Sequence, residues 1–283
     1  MSTFAARTAL DAIDHRPTVI ALHCSGSSGR QWQSLGEALG DRFALVAPEL
    51  YGCGTRDQWN GERAFTLAEE AATAVAVIDA ERAPVHLVGH SQGGAVALRV
   101  ACMRPTRIAS LSLYEPTAFH VLKHMGEDGV AALAEIRELA ADIDRGVASG
   151  AYRAAAQRFV DYWNDAGSFA ALKPHMQADM IRYAPKSGLD FRASIDERTP
   201  LAALRRLRIP TLLLRGEHGP MPTAVIVRKL LTVMRSVVVS EVAGAGHMGP
   251  FTHADPVNAA IMRHIAANEA RLGAREMPVR AAA

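Results

Sequence analysis

Short apolar runs alternate with helix-length amphipathic stretches along most of the chain. Six runs read as strands: Val19–Cys24, Phe43–Leu50, Val85–His90, Ile108–Glu115, Thr211–Glu217 and Val237–Val242. Each is rich in Val, Ile or Leu and bounded by Gly or Pro, the look of strands covered on both faces. Helical stretches lie at Trp32–Leu39, Leu67–Ala80, Gly94–Met103, Thr223–Met234 and Asp255–Leu272. This succession predicts an α/β fold, a mostly parallel central sheet flanked by helices. The alternation breaks once. Between Pro116 and Leu207 no strand pattern occurs, while Gly129–Val147 and Tyr152–Ala166 carry apolar residues at three-four spacing. A structureless loop of that length does not suit a compact domain, so the segment is expected to be a helical insertion. The closing residues 273–283 read as a frayed tail.

Composition narrows the class. Hydrophobic residues at 49% and charged residues at 21% exclude a disordered or fibrous chain. With 31 Lys+Arg against 29 Asp+Glu, the net charge of +2 provides no basic stripe for nucleic acid. Three scattered cysteines (Cys24, Cys53, Cys102) suit neither a disulfide framework nor a zinc knuckle and point to a reducing compartment. The amino-terminal stretch lacks an apolar core of leader length. The longest segment free of charged residues, Ala83–Leu98, holds two His, a Ser-Gln pair and three Gly, so no membrane span is expected. A cytoplasmic protein is the expectation.

The sharpest local signal is Gly89-His90-Ser91-Gln92-Gly93, directly after a strand and before a helix of small residues. This is G-x-S-x-G in the strand–turn–helix context of a nucleophile elbow. A serine in so sharp a turn tolerates only tiny neighbours two residues either side, and the helix that follows aims its N–H groups at a developing oxyanion. A serine needs a base, and His247 in Gly244-Ala245-Gly246-His247-Met248 follows the last strand, at the same sheet edge. The same stretch spells G-x-G-x-x-G, but no βαβ unit follows it, so a dinucleotide site fails its context test. An oxyanion hole needs a second N–H from the loop after an early strand. Ser25, in the Gly/Ser loop after Val19–Cys24, is the candidate beside the N–H of Gln92.

Five stretches, LHCSGSSGRQW, VAPELYGCG, VHLVGHSQGGAVAL, LLLRGE and GAGHMGPFTHADPVN, make the chain resemble the α/β-hydrolase superfamily, in its form with a helical cap. The resemblance covers nearly the whole chain. It implies a sheet of eight strands, of which six are legible here, with residues 1–115 and 208–283 as core and 116–207 as cap, inserted after the strand the family counts as sixth. The family's usual His-Gly is His23-Cys24 in this chain. The acid departs further. Relatives carry an Asp after the strand that corresponds to Thr211–Glu217, where this chain has Gly219. Two carboxylates remain near that edge. Glu115 closes the strand Ile108–Glu115, a place that certain haloalkane dehalogenases use for the triad acid. Glu217 sits closer to the usual place but too early, where relatives carry a structural Glu. Glu115 is the favoured acid and Glu217 the runner-up.

What the resemblance implies is ester hydrolysis through an acyl-enzyme, with Ser91 attacking, His247 moving the proton and no metal or organic cofactor required. The expected partner is a small-molecule ester of modest size. Perhydrolysis, lactone opening, C–C bond hydrolysis and acyl transfer remain open on the same residues. From another class, a hydrolase-like small-molecule receptor is also open. His120 and His124, with Glu127 and Asp128 nearby, lack the H-E-x-x-H pattern or a spaced third ligand of a metal site. Phe159, Tyr162, Trp163, Phe169, Met176 and Met180 read as helix packing, some of them as a pocket roof.

Overall fold

Six strands build the sheet: β1 (Thr18–Leu22), β2 (Ala44–Val46), β3 (Val85–His90), β4 (Ile108–Tyr114), β5 (Thr211–Gly216) and β6 (Val237–Val242). The structure, a computed structural model, describes residues 16–276. The strands lie in the order β2-β1-β3-β4-β5-β6 with every pairing parallel. Among the described residues the sheet therefore has the six legible strands rather than eight. Around it run α1 (Gln33–Leu39), α2 (Leu67–Ala80), α3 (Gln92–Met103), α4 (Gly126–Ala148), α5 (Tyr152–Trp163) and α6 (Ser168–Ala171). They are followed by α7 (Pro174–Ile195), α8 (Leu201–Arg206), α9 (Met221–Val233), α10 (Gly249–Thr252) and α11 (Ala254–Glu276).

Alternate residues of each strand feed opposite layers, which is why the strands read as unbroken apolar runs. Val19 and Ala21 of β1 pack with Trp32, Leu35, Val257, Ile261 and Ile265, under α1 and α11. Ile20 and Leu22 face the other layer, with Ile78, Val96, Val100, Ile226 and Leu230 of α2, α3 and α9. That second core continues without a break into the segment between β4 and β5. There α4 contributes Ala132, Leu133, Ile136, Leu139 and Ile143 at helical spacing, against Phe159, Tyr183 and Phe191. The segment holds helices alone.

The differences from expectation fall at strand ends. β2 covers three residues of the expected Phe43–Leu50, because Pro48 has no N–H for a ladder bond and the chain leaves the sheet before it. β1 stops at Leu22: the His23 ring instead donates from Nδ1 to Cys24 O (2.8 Å) and accepts the Leu50 N–H at Nε2 (3.0 Å). Glu115 and Glu217 lie one residue past β4 and β5. α11 runs through Glu276, so the first four residues of the expected tail are helical. Residues 277–283, and the amino-terminal stretch read for a leader, lie outside the described residues apart from Arg16. No helix among the described residues is long and apolar enough to cross a membrane.

His120 sits in the short 3₁₀ turn after β4, buried, with neither ring nitrogen bonded to protein. Burial lowers its pKa to about 4 from 6.5. Among the described residues no three His, Cys, Asp or Glu side chains gather as metal ligands, and His124 does not join it. An imidazole depressed in the fold takes up a proton on unfolding, so stability is whole above about pH 6.5 and drains away toward pH 4. The span corresponds to about 3 kcal/mol. His120→Leu should flatten this part of the stability curve, by about 2 kcal/mol between pH 7 and pH 5, in urea unfolding. An unchanged pH dependence in the variant refutes the assignment.

Candidate active site

The β3–α3 turn places Ser91 at φ 55°, ψ −119°, one of two non-glycine residues with positive φ among those described. The second is Glu115, at φ 39°. The flanking glycines are required by close approach. A Cβ at Gly89 would lie 2.5 Å from Gly93 O, and one at Gly93 would overlap the carbonyl oxygens of Leu22 and His23. Backbone bonds lock the turn: Ser91 N–H donates to Tyr114 O (3.0 Å), and Ser91 O accepts from Ala95 N–H and Thr117 N–H. Strand, turn and helix thus present the serine oxygen above the carboxyl edge of the sheet, near where the strand order reverses between β1 and β3.

His247 reaches Ser91 from the loop after β6. Its Nε2 accepts from Ser91 Oγ at 2.9 Å, and its Nδ1–H donates to Glu115 Oε2 at 2.7 Å. All three side chains are buried. Two neighbouring carbonyls of the loop are pinned from below: Tyr114 OH donates to Gly246 O (2.7 Å) and His90 Nε2–H to His247 O (2.9 Å). Burial, then the nearby His247, holds the His90 pKa well below the ordinary value, so His90 is neutral. Its Nδ1 accepts from Gln31 Nε2 (2.9 Å), while Gln31 Oε1 takes the Cys24 N–H (2.9 Å). Above the imidazole, Trp163 of α5 stacks at 4.3 Å between ring centroids and 30° between planes.

Glu115 is held by more than the imidazole. Its Oε1 accepts the Gly216 N–H (2.9 Å), and Oε2 also accepts from Thr223 Oγ1 (3.1 Å). Glu217 turns elsewhere: its Oε2 accepts the Gly244 N–H (2.8 Å), bracing the loop of His247 without touching the ring. The remaining candidates line one cavity with Ser91. Ser25, Gln92, Thr117, Phe159, Trp163, Asp190 and Phe191 surround a space of about 20 Å³, room for roughly one water. Gln92 opens α3, where a backbone N–H has no intrahelical partner. Ser25 sits at the second position of a turn closed by Ser27 N–H to Cys24 O (3.2 Å). The Cys24 thiol, pushed up to about 12 chiefly by burial, stays protonated beside this loop.

Residues 19–260 match the alpha/beta hydrolase family. The chain belongs to the alpha/beta hydrolase family. It is 28% identical over 261 residues to a pimeloyl-[acyl-carrier protein] methyl ester esterase of Xanthomonas oryzae pv. oryzae, covering 91% of this chain and 98% of that one. A lipase, LipV, of Mycobacterium tuberculosis is 35% identical over 99 residues, which is 35% of this chain and 36% of the lipase. The match thus spans only about a third of that relative's length. Among solved structures, the alpha/beta hydrolase MGS-M2 from a Medee basin deep-sea metagenome superposes with a TM-score of 0.75 at 14% identity, covering 92% of each chain. A hydrolase of Pseudomonas aeruginosa gives 0.69 at 20% identity, over 90% of this chain and 92% of that one. At such identities the likeness is one of fold.

Of the residues singled out in the sequence of this α/β hydrolase, Ser25, Ser91, Gln92, Phe159 and Trp163 line one cavity, and His247 and Glu115 join Ser91 through hydrogen bonds. His90, Gln31, Trp163 and Asp190 are brought to the site by packing. His90 and Gln31 lie inside sequence motifs and Trp163 among the expected packing residues, so Asp190 alone of these had no local signal.

Gly219 leaves room for the Glu115 carboxylate. A Cβ there would overlap Glu115 Oε1 and stand 2.8 Å from its Cδ, so a side chain at 219 and the Glu115 carboxylate exclude one another. In the chymotrypsin-type triad the acid-to-amide swap costs about 10⁴-fold in kcat. Glu115→Gln should approach that loss, whereas Glu217→Gln should cost about tenfold, through its loop bond alone. Gly219→Ala should be nearly as damaging as Glu115→Gln, because it displaces the carboxylate. Kinetics on an activated ester decides it: a crippled Glu217→Gln with a mild Glu115→Gln would assign the acid to Glu217.

Proposed function

We propose that this protein is a serine hydrolase that cleaves carboxylic esters of small to medium size through an acyl-enzyme. The observation that carries the reading is the unbroken relay Ser91–His247–Glu115, with bonds of 2.9 and 2.7 Å, opening on one cavity. In this mechanism Ser91 Oγ attacks the ester carbonyl while its proton passes to His247 Nε2. The Ser25 and Gln92 N–H groups stabilise the oxyanion, and Glu115 holds the Nδ1–H tautomer and the transient imidazolium. The imidazolium protonates the leaving alcohol. Water, deprotonated by the same nitrogen, then releases the acid. The face of Trp163 over the ring adds a cation–π attraction to the charged form. No step calls on a metal or organic cofactor.

We read residues 116–207 as a cap over the core formed by the rest of the described chain, residues 16–115 and 208–276. Phe119, Phe159, Trp163 and Phe191 of that segment wall the cavity, which favours a short apolar acyl group. The unpaired cysteines fit a reducing, cytoplasmic setting.

The test is a series of p-nitrophenyl esters. Acetate and butyrate should be turned over with far higher kcat/KM than palmitate, and equal rates would argue for an open cleft. Ser91→Ala should remove about 10³-fold or more of the activity while the protein stays folded. A serine-directed phosphonate should add its mass to the peptide that contains Ser91. Labelling of a different serine would overturn the assignment.

A further inference from the structure

Beside the relay lies a buried chain of charges that the mechanism above leaves unused. Asp190 of α7 lines the same cavity as Ser91. Its Oδ2 accepts from Ser25 Oγ (3.0 Å) and Tyr183 OH, and its Oδ1 from Lys186 Nζ and Gln92 Nε2 (3.4 Å). Lys186 is 1% exposed and donates also to Glu70 Oε2 at 2.8 Å. Glu70 in turn accepts the Tyr51 N–H (2.8 Å) and stands 3.7 Å from Arg56. Burial by itself would lower the Lys186 pKa, but the carboxylates of Asp190 and Glu70 more than offset it, and Lys186 remains an ammonium ion.

Three roles compete for Asp190. A substrate ligand needs free acceptor capacity, yet a carboxylate offers about four lone-pair sites and four donors already fill them. A stabilising ion pair is a poor explanation, because removing charges from water costs several kcal/mol per ion and an apolar substitute often does better. The third role follows from what the carboxylate touches. Its four donors include the side chains of both residues assigned to the oxyanion hole, one on the loop after β1 and one at the start of α3. Gln92 is clamped from its other end, where Oε1 accepts from Ser194 Oγ (2.9 Å) and Thr117 Oγ1 (3.3 Å).

We propose that Asp190 is a positioning residue for the oxyanion hole: one buried carboxylate, anchored by Lys186 and Glu70, sets the spacing of Ser25 and Gln92. This rests on the reading of Ser91 as nucleophile and of the Ser25 and Gln92 N–H groups as oxyanion donors. The segment that roofs the cavity thereby also tunes the stabilisation of the transition state below it.

The test compares Ser25→Ala, which keeps the Ser25 N–H and leaves every buried charge paired, with Asp190→Asn and the double variant. Each is first titrated with the phosphonate to count reactive Ser91, then assayed on p-nitrophenyl butyrate, with phenylboronic acid as a tetrahedral oxyanion mimic. Displacing a hydrogen-bond donor by about an ångström costs up to about 100-fold. Ser25→Ala should lose about tenfold and Asp190→Asn about 100-fold in kcat per titrated site, with KM within about twofold. Phenylboronate inhibition should weaken in step with kcat, and the double variant should be no worse than Asp190→Asn. A merely structural role would lower the titre and melting temperature but leave kcat per site intact, which overturns the proposal. A raised KM with kcat kept, or losses that multiply in the double variant, would overturn it too. If Asp190→Asn does not fold, Ser25→Ala alone decides, since its charges are undisturbed. Wild-type protein that neither hydrolyses the ester nor takes up phosphonate at Ser91 would bring down the hydrolase reading itself, and this proposal with it.

Discussion

The site depends on one strained turn. Ser91 occupies a positive-φ conformation that costs a non-glycine residue of order 1–3 kcal/mol and persists only when its surroundings over-determine it. The surroundings do so from three sides. Tyr114 O takes the Ser91 N–H, the Ser91 carbonyl accepts two further N–H groups, and Gly93 is wedged against the carbonyls that end β1. The wedge works because β1 and β3 are fully buried neighbours in a parallel sheet. Parallel strands also bring their carboxyl ends to one edge, so every loop able to reach Ser91 leaves from there.

The same edge accounts for the position of the carboxylate. Glu115 too has a positive φ, immediately after β4, and its oxygens fill the space that a side chain at 219 would need. The imidazole can therefore be met from β4 or from the loop after β5, but not from both. Gly216 N–H and Thr223 Oγ1, both beyond β4, fix the carboxylate. Donors from β5 and α9 thus hold a carboxylate that leaves the end of β4. A constellation of this kind is defined by geometry and not by chain position.

The helices between β4 and β5 are not a separate layer laid on the sheet. Their apolar residues belong to the same core as β3 and β4, and they deliver Trp163 to the face of His247 and Asp190 to the cavity wall. Solved structures at 14 to 20% identity share the fold and nothing finer. Substrate choice must accordingly be argued from the side chains at the cavity.

The sequence by itself determined the strand–helix alternation, the helical segment after Ile108–Glu115, the elbow at Ser91 and the loop of His247. These are local features: apolar periodicity reports which faces are covered, and glycines two residues either side of a serine report a tight turn. The sequence also narrowed the carboxylate to two residues, because Gly219 has no side chain with which to orient a ring. Only the tertiary structure decided which of them meets the imidazole, setting Glu115 at 2.7 Å from it and turning Glu217 toward Gly244. It alone shortened β2 and assembled Glu70, Lys186 and Asp190. Lys186 and Asp190, read along α7, look like a solvated helical pair, and Glu70 lies 116 positions from Lys186. Nothing in a local pattern encodes such a meeting. It arises when two covered helix faces pack together and bring buried charges of opposite sign within reach of one another.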